Sequence, residues 1–354
     1  MKSKNILVVY TGGTFGMSEN LEIEDLSAAA LKTRLERGVP EMARIANCSV
    51  EVAFNTDSCQ MGLAHWFDLA RRITARSGEF DGVVVLHGTD TLAHTASALS
   101  YLLSPSPIPI VVTGAQKPLS SLRNDARSNL LTALEVAAEA PRQLGNRILV
   151  AFHDEVFLGS RVRKQSALRF GAFNSPRFPA LARVGSSIHY RNAVFHLPPL
   201  DSKDPFPIPA PETPPFAGSL IQIHVTPDFP GTLLKDDWLM SADGILMTLF
   251  PSGTAPTDHE DFMDFLRRAE ACSLPVFAIT EGSDAPLHLA SYAAGKTLSR
   301  QGVLWCHDLT PEAAFVKAQL LFVRERQIQG QSRASYHAWL QEHWHRPLSD
   351  ESSG

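Results

Sequence analysis
Short, uninterrupted apolar runs, each leading into a helix-like stretch, constrain this chain more than any other feature. ILVVY (Ile6 to Tyr10) ends in TGGT, and VVVL (Val83 to Leu86) ends in HGTDT before the helical pattern LAHTASALSYLL. IPIVVTG (Ile108 to Gly114) passes through a polar loop into DARSNLLTALEVAAEA, and RILVAF (Arg147 to Phe152) is a fourth such run. A strand without polar alternation buries both faces, and a parallel sheet covered by helices on each side is the usual way to do so. The expectation is an α/β fold with a larger N-terminal domain built on a doubly wound, mainly parallel sheet. A chain of 354 residues, 44% of them hydrophobic, has the apolar content to fill that core and a second one.

The break between the two is written in proline. PPLDSKDPFPIPAPETPP, from Pro198 to Pro215, holds eight of the 24 prolines, and proline removes backbone donors and resists helix or central strand. After it the rhythm resumes with LIQIHV, ILMTLF, LPVFAIT and GVLWC. The expected organisation is a catalytic N-terminal α/β domain over 1–196, a linker over 197–217, a smaller C-terminal α/β domain over 218–340, and a mobile tail over 341–354 ending in LSDESSG.

Charge and cysteine usage narrow the partners. A formal net charge of −5 with no basic arm argues against a nucleic-acid partner. The apolar run Ile6 to Val9 is too short for a signal peptide, and no stretch approaches membrane-spanning length, so no membrane partner is expected. Cys48, Cys59, Cys272 and Cys306 form no CxxC pair, which fits a cytoplasmic home. The 13 histidines contain no HExxH or zinc-type spacing, so no metal is expected.

In open α/β sheets ligands bind beyond the carboxyl ends of the strands, where strand order reverses. TGGT (Thr11 to Thr14) and HGTDT (His87 to Thr91) both stand at such ends, so neighbouring strands would bring Thr14 and Thr89 to one pocket. Each has a plainer reading. TGGT alone is more often a turn, and it lacks both the P-loop lysine and the GxGxxG spacing of a dinucleotide site. Thr89 or Asp90 alone suits a helix cap. His87 and His94 read as local hydrogen-bonding groups rather than ligands.

The combination changes the balance. TGGTFGM, DSCQM, VVVLHGTDTLAHTASAL, PIVVTGAQKPL…RNDARSNL and SRVRKQSALRFGAFNSP follow in this order. Together they resemble the asparaginase/glutaminase family, which hydrolyses the side-chain amide of asparagine or glutamine, and the likeness is greatest to its cytosolic type I branch. The resemblance covers nearly the whole chain and is firmest from Asn5 to Pro179.

It implies that Thr14 is the nucleophile, and that Thr89 works with Lys164 and Asp90 to take a proton. The chemistry is coherent: a hydroxyl needs a base, and a lysine drawn into a dry pocket can be one. Asp90 would also pair with the α-ammonium of the substrate, as would Asp57, while Ser58 would hold the α-carboxylate. Backbone N–H groups near Thr89 would face the oxyanion, and Gly88 would admit the ligand close to the backbone. Without the resemblance, Lys164 reads as a surface cation in a basic run, and Asp57-Ser58 as a polar turn. The resemblance further implies a small-molecule substrate, L-asparagine, no cofactor, and a homodimer or dimer of dimers.

Two departures stand out. Relatives place a tyrosine in the loop after TGGT, whereas here that loop reads SENLEIEDLS, with no tyrosine between Tyr10 and Tyr101. Tyr292, in ASYAAG, is the best-placed substitute. TLFPSGTAP replaces a glycine- and asparagine-rich loop, putting Thr248 where an effector-site arginine can occur and Thr254 where an asparagine stands. Effector control by asparagine is therefore not expected, and Cys59 leaves the preference between asparagine and glutamine open. Two other readings stay beside the enzyme: an amidase-type subunit of a tRNA-dependent amidotransferase, and a catalytically weak amino-acid sensor.

Overall fold
The computed structural model describes residues 3–17, 26–198, 200, 206–209, 218–282, 293–329 and 333–350. These fall into two compact units, one of Met1–Pro214 with Leu348–Asp350, the other centred on Pro215–Pro347.

In the first unit, the strands β1 (Lys4–Tyr10), β2 (Ala46–Val52), β3 (Gly82–Leu86), β4 (Ile110–Thr113), β5 (Ile148–Phe152) and β6 (Glu155–Leu158) are followed by a short ribbon, β7 (Arg163–Lys164) and β8 (Phe173–Asn174). β9 (Ala182–Val184) and β10 (Ile188–Tyr190) complete it. The main sheet has the order β10-β9-β6-β5-β4-β3-β1-β2. β2, β1, β3, β4 and β5 run parallel, while β6, β9 and β10 extend the sheet antiparallel. The expected α/β class and mainly parallel sheet are what the structure has.

Burial explains the apolar runs. Ile6, Val8 and Tyr10 join one core cluster with Leu31 and Leu35 of α1 (Ala28–Gly38) and with Leu130 and Leu134 further along the chain. Leu7 and Val9, which point the other way, are equally buried, so β1 is covered on both faces. α2 (Met42–Ile45), α3 (Leu63–Arg76), α4 (Leu92–Leu103) and α5 (Ala126–Glu139) supply the remaining cover. In α3 the buried stripe Leu63, Trp66, Phe67, Ala70, Ile73 follows helical spacing and leaves Asp68, Arg71 and Arg72 outward. Trp66 turns its indole Nε1 to Thr95 Oγ1 of α4 at 3.1 Å, which satisfies a donor that burial would otherwise strand.

The sheet order sets the site. β1 lies between β2 and β3, so the chain leaves β1 to one side for β2 and returns on the other for β3. Tyr10 and Leu86 are partners at the carboxyl ends of β1 and β3, and the TGGT and HGTDT loops begin directly after them. That is the reversal point at which such sheets bind ligands.

The second unit repeats the logic with four parallel strands in chain order, β11 (Leu220–His224), β12 (Gly244–Leu249), β13 (Val276–Thr280) and β14 (Leu304–Trp305). Its helices are α6 (Asp236–Ser241), α7 (Glu260–Ala271), α8 (Ala293–Arg300), α9 (Pro311–Gln329) and α10 (Arg333–His343). Phe262, Phe265 and Leu266 of α7 pack with Ile245, Met247 and Ala278 in its core. Thr248 lies in β12, opposite His224 and Ile279. Among the described residues, no helix is long and apolar enough to cross a membrane. Most of the proline-rich stretch lies outside the described residues, but Phe206 within it stacks on Phe67 of α3, with ring centroids 6.5 Å apart.

Leu348–Asp350 belong to the first unit, and Asp350 anchors them there. Arg147, 2% exposed, donates from Nε to Asp350 Oδ2 at 2.8 Å and from Nη2 to Oδ1 at 3.3 Å. Its other donors go to the carbonyls of Gln143 and Pro198. Arg161, also 2% exposed, donates from Nε to the Asp350 carbonyl at 2.5 Å and lies over the Phe178 ring. Removing one partner of a buried pair leaves the other charge desolvated. Asp350→Ala is accordingly expected to destabilise the first unit by roughly 3–5 kcal/mol, read as a lower urea midpoint; an unchanged midpoint would show that the pair contributes nothing net.

Candidate active site
Three loops meet at the carboxyl edge of β1 and β3, and glycines let them meet. Gly13, at φ +83°, lies against Gly88: a Cβ on Gly13 would sit 2.5 Å from the Gly88 Cα. A Cβ on Gly88 would in turn sit 2.8 Å from the Ser58 Oγ and Cβ. No larger residue fits at either place without moving backbone. Hydrogen bonds close the same corner. Thr11 donates from both its N–H and its hydroxyl to the Leu86 carbonyl, at 3.0 and 3.1 Å, and Thr91 Oγ1 donates to the Ser58 carbonyl at 2.6 Å. The loop after β2 is thereby tied to the loop after β3.

On this frame Thr14 opens a short 3-10 turn, Thr14–Gly16, and is half-buried. The Tyr10 hydroxyl, wholly buried, donates to the Gly13 carbonyl at 3.0 Å and fixes the turn from below. Ser58 is 3% exposed, whereas Asp57 beside it is exposed and caps the following turn through Oδ1 to the Cys59 N–H at 3.0 Å. In the loop after β3, Thr89 is half-buried and Asp90 exposed.

Lys164, on β7 and paired in register with Phe173, is the residue whose placement matters most. Its Nζ lies 2.7 Å from Thr89 Oγ1 and 2.7 Å from Asp90 Oδ1, with the lysine side chain 17% exposed. A basic run on a surface would not draw one lysine in to two side chains 75 and 74 residues away. The arrangement is a hydroxyl, an amine and a carboxylate in contact, the set needed to move a proton on and off a threonine.

Residues outside the sequence-based set take part. Thr89 Oγ1 also contacts Gln116 Oε1 at 3.1 Å, in the loop after β4. That loop is pinned by Asp125, 2% exposed, whose carboxylate accepts from the backbone N–H groups of Gln116 and Lys117 and from Asn129 Nδ2. GAQKP and RND are part of the motif order, but a glutamine in a polar loop carries no signal that would single it out. Tyr292 and the loop 18–25 lie outside the described residues. Among the described residues, no cluster of three or more His, Cys, Asp or Glu side chains is placed to hold a metal ion.

His87 lies under the site. Its Nδ1 is 2.7 Å from the Gly88 carbonyl, which only accepts, so Nδ1 carries the proton and Nε2 is left as a buried acceptor without a partner among the described residues. Burial pushes the imidazole down from 6.5 to about 4; His94 nearby adds to the drop and the Gly88 bond opposes it. Burial also pushes His94 down to about 4. Between pH 6.5 and about 4 the unfolded chain binds protons at both rings that the folded chain refuses. Stability from these two groups is complete above pH 6.5 and falls as the pH drops through that window. Urea midpoints should fall from pH 7 to pH 5 in the wild type, and less in His87→Gln; identical slopes would remove His87 from the effect.

Comparison with known proteins agrees with this architecture. The family described as Asparaginase, N-terminal, matches residues 5–195, and the one described as Glutaminase/Asparaginase C-terminal domain matches residues 221–333. The chain is 32% identical over 328 residues to L-asparaginase 1 of Escherichia coli, covering 92% of this chain and 94% of that one. It is 29% identical over 325 residues to a glutamyl-tRNA(Gln) amidotransferase subunit of Methanococcus maripaludis, covering 89% of this chain and 75% of that one. Among solved structures, L-asparaginase I from Vibrio cholerae superposes with a TM-score of 0.82 at 30% identity, over 99% of this chain and all of that one. Matched from its first strand into the last helices of the second unit, this chain belongs to the asparaginase family.

Proposed function
We propose that the protein hydrolyses the side-chain amide of L-asparagine to L-aspartate and ammonia, through an ester on Thr14. The observation that carries this reading is Lys164 Nζ at 2.7 Å from both Thr89 Oγ1 and Asp90 Oδ1, beside the Gly13–Gly88 contact that positions Thr14. Membership of the asparaginase family and the likeness to L-asparaginase 1 support it. In the first half-reaction the Thr14 oxygen attacks the amide carbon, its proton passes to the leaving nitrogen, and ammonia departs. In the second, water adds to the ester carbon, the proton returns to Thr14, and aspartate is released. The Thr89–Lys164–Asp90 set acts as the proton acceptor and donor, with backbone N–H groups near Thr89 facing the oxyanion. Ser58, buried, holds the α-carboxylate, Asp57 and Asp90 hold the α-ammonium group, and Gly88 lets the substrate close to the backbone. Tyr292 is retained as the candidate replacement for the missing loop tyrosine.

No metal or organic cofactor enters this scheme. We further propose a cytoplasmic location and a homodimer or dimer of dimers, on the resemblance to type I relatives. The amidotransferase reading is supported by likeness to amidotransferase proteins such as that of Methanococcus maripaludis. Ammonia release from free L-asparagine without tRNA separates the two. Thr14→Ala and Thr89→Val are each expected to lower kcat by roughly 100- to 10,000-fold in a protein that stays folded. Full activity in both would overturn the two-threonine mechanism, and tight asparagine binding by the wild type without ammonia release would mark an amino-acid sensor instead.

A further inference from the structure
We infer that Gln116 is a positioning residue that sets the direction of the Thr89 hydroxyl; the inference rests on the reading of Thr89 and Lys164 as the proton-transfer pair. Hydrogen-bond polarity fixes that direction. Gln116 Nε2 lies 3.3 Å from the Ser166 carbonyl and 3.3 Å from the Arg169 carbonyl, two groups that only accept. The amide nitrogen must therefore face them, which turns Oε1 towards Thr89 Oγ1, 3.1 Å away. A carbonyl oxygen only accepts, so Thr89 donates its single proton to Gln116. Lys164 Nζ donates to the same Thr89 oxygen from 2.7 Å. The chain of donors runs Lys164 to Thr89 to Gln116 to the backbone at 166 and 169, with every direction fixed.

Two consequences follow for the proton path. In the resting state the Thr89 proton is held on Gln116, and the Thr89 lone pairs face Lys164 rather than rotating freely. When Lys164 is neutral, turning the hydroxyl about its Cβ–Oγ bond carries the proton from the amide oxygen to the amine, with no heavy atom displaced. The same side chain also bridges the two segments whose spacing defines the pair. Its backbone N–H is clamped by both oxygens of Asp125 at 3.0 Å, and its amide holds residues 166 and 169, just beyond Lys164. Gln116 thus fixes the Thr89–Lys164 distance as well as the hydroxyl direction, without contact with the reacting atoms being required.

The test is steady-state hydrolysis of L-asparagine by Gln116→Met, which keeps length and loses both polar ends, and Gln116→Glu, which keeps an acceptor oxygen. Gln116→Met is expected to lower kcat by roughly 10- to 100-fold with KM within about twofold of wild type, the scale of a misdirected catalytic group. Gln116→Glu is expected to recover only part of that loss, because it keeps the acceptor for Thr89 but has no donor for the carbonyls of Ser166 and Arg169. Wild-type or raised kcat in Gln116→Met, a change confined to KM, or equal losses in the two variants would overturn the inference. Should Gln116→Met fail to fold, Gln116→Asn, which withdraws the amide by one methylene, is read by the same criteria. Thr89→Val is measured alongside: wild-type activity there would defeat the proton-pair reading itself, whereas an inactive Thr89→Val beside a fully active Gln116→Met would defeat only the role of Gln116.

Discussion
Gly13 and Gly88 leave no room between their backbones for a side chain, and the site depends on that contact. Two strands that are neighbours in a parallel sheet lie a fixed distance apart, so the loops leaving them diverge unless something lets them approach. Here the approach is achieved by deleting Cβ atoms: a Cβ on Gly13 would stand 2.5 Å from the Gly88 Cα. With the loops in contact, a hydroxyl presented by one and a hydroxyl presented by the other share a single corner of the molecule. The Tyr10 and Thr11 bonds to Gly13 and Leu86 then hold that corner in place from the sheet side.

The polar part of the site is assembled differently. Thr89 comes from the sheet edge, Lys164 from a two-residue strand far along the chain, and Gln116 from the loop after β4. Neither connection among them, Lys164 to Thr89 or Thr89 to Gln116, is a regular ladder. They are single hydrogen bonds between side chains, each with its polarity set by groups that can only donate or only accept. The precision of the site therefore rests on Asp125, whose buried carboxylate pins the backbone of Gln116, and on the pairing of Lys164 with Phe173.

How much of this is legible follows from the kinds of residue involved. β1, β3, β4 and β5 announce themselves as apolar runs because both their faces are buried, and β12 to β14 do the same in the second unit, whereas β11 alternates, with Gln222 and His224 exposed. β2 does not: in ANCSVEV at the sheet edge, Asn47 and Ser49 are exposed and no apolar run forms. β6, β9 and β10 are silent for a related reason, being short and antiparallel with partly exposed ends. TGGT and HGTDT are legible as loops at strand ends. The approach of Lys164 to Thr89 is not, since spacing says nothing about a residue 75 positions away, and only the likeness to a family suggests it. Gln116 lies inside one of the motifs that carry the likeness, PIVVTGAQKPL, but nothing in that motif singles it out from its neighbours. Its importance is a property of hydrogen-bond direction, which a sequence does not display.

The clamp on Asp350 has a consequence for the order of assembly. Arg147 is 2% exposed, and it takes its counter-charge from a residue 203 positions later. A chain emerging from the ribosome presents the strands of the first unit early, at roughly 5–20 residues per second. Those strands and their helices are complete long before residue 350 has been made, yet the Arg147 guanidinium beside β5 still awaits the carboxylate it pairs with. The first unit is thus built early but holds one buried ion pair that only the last residues of the described chain can complete.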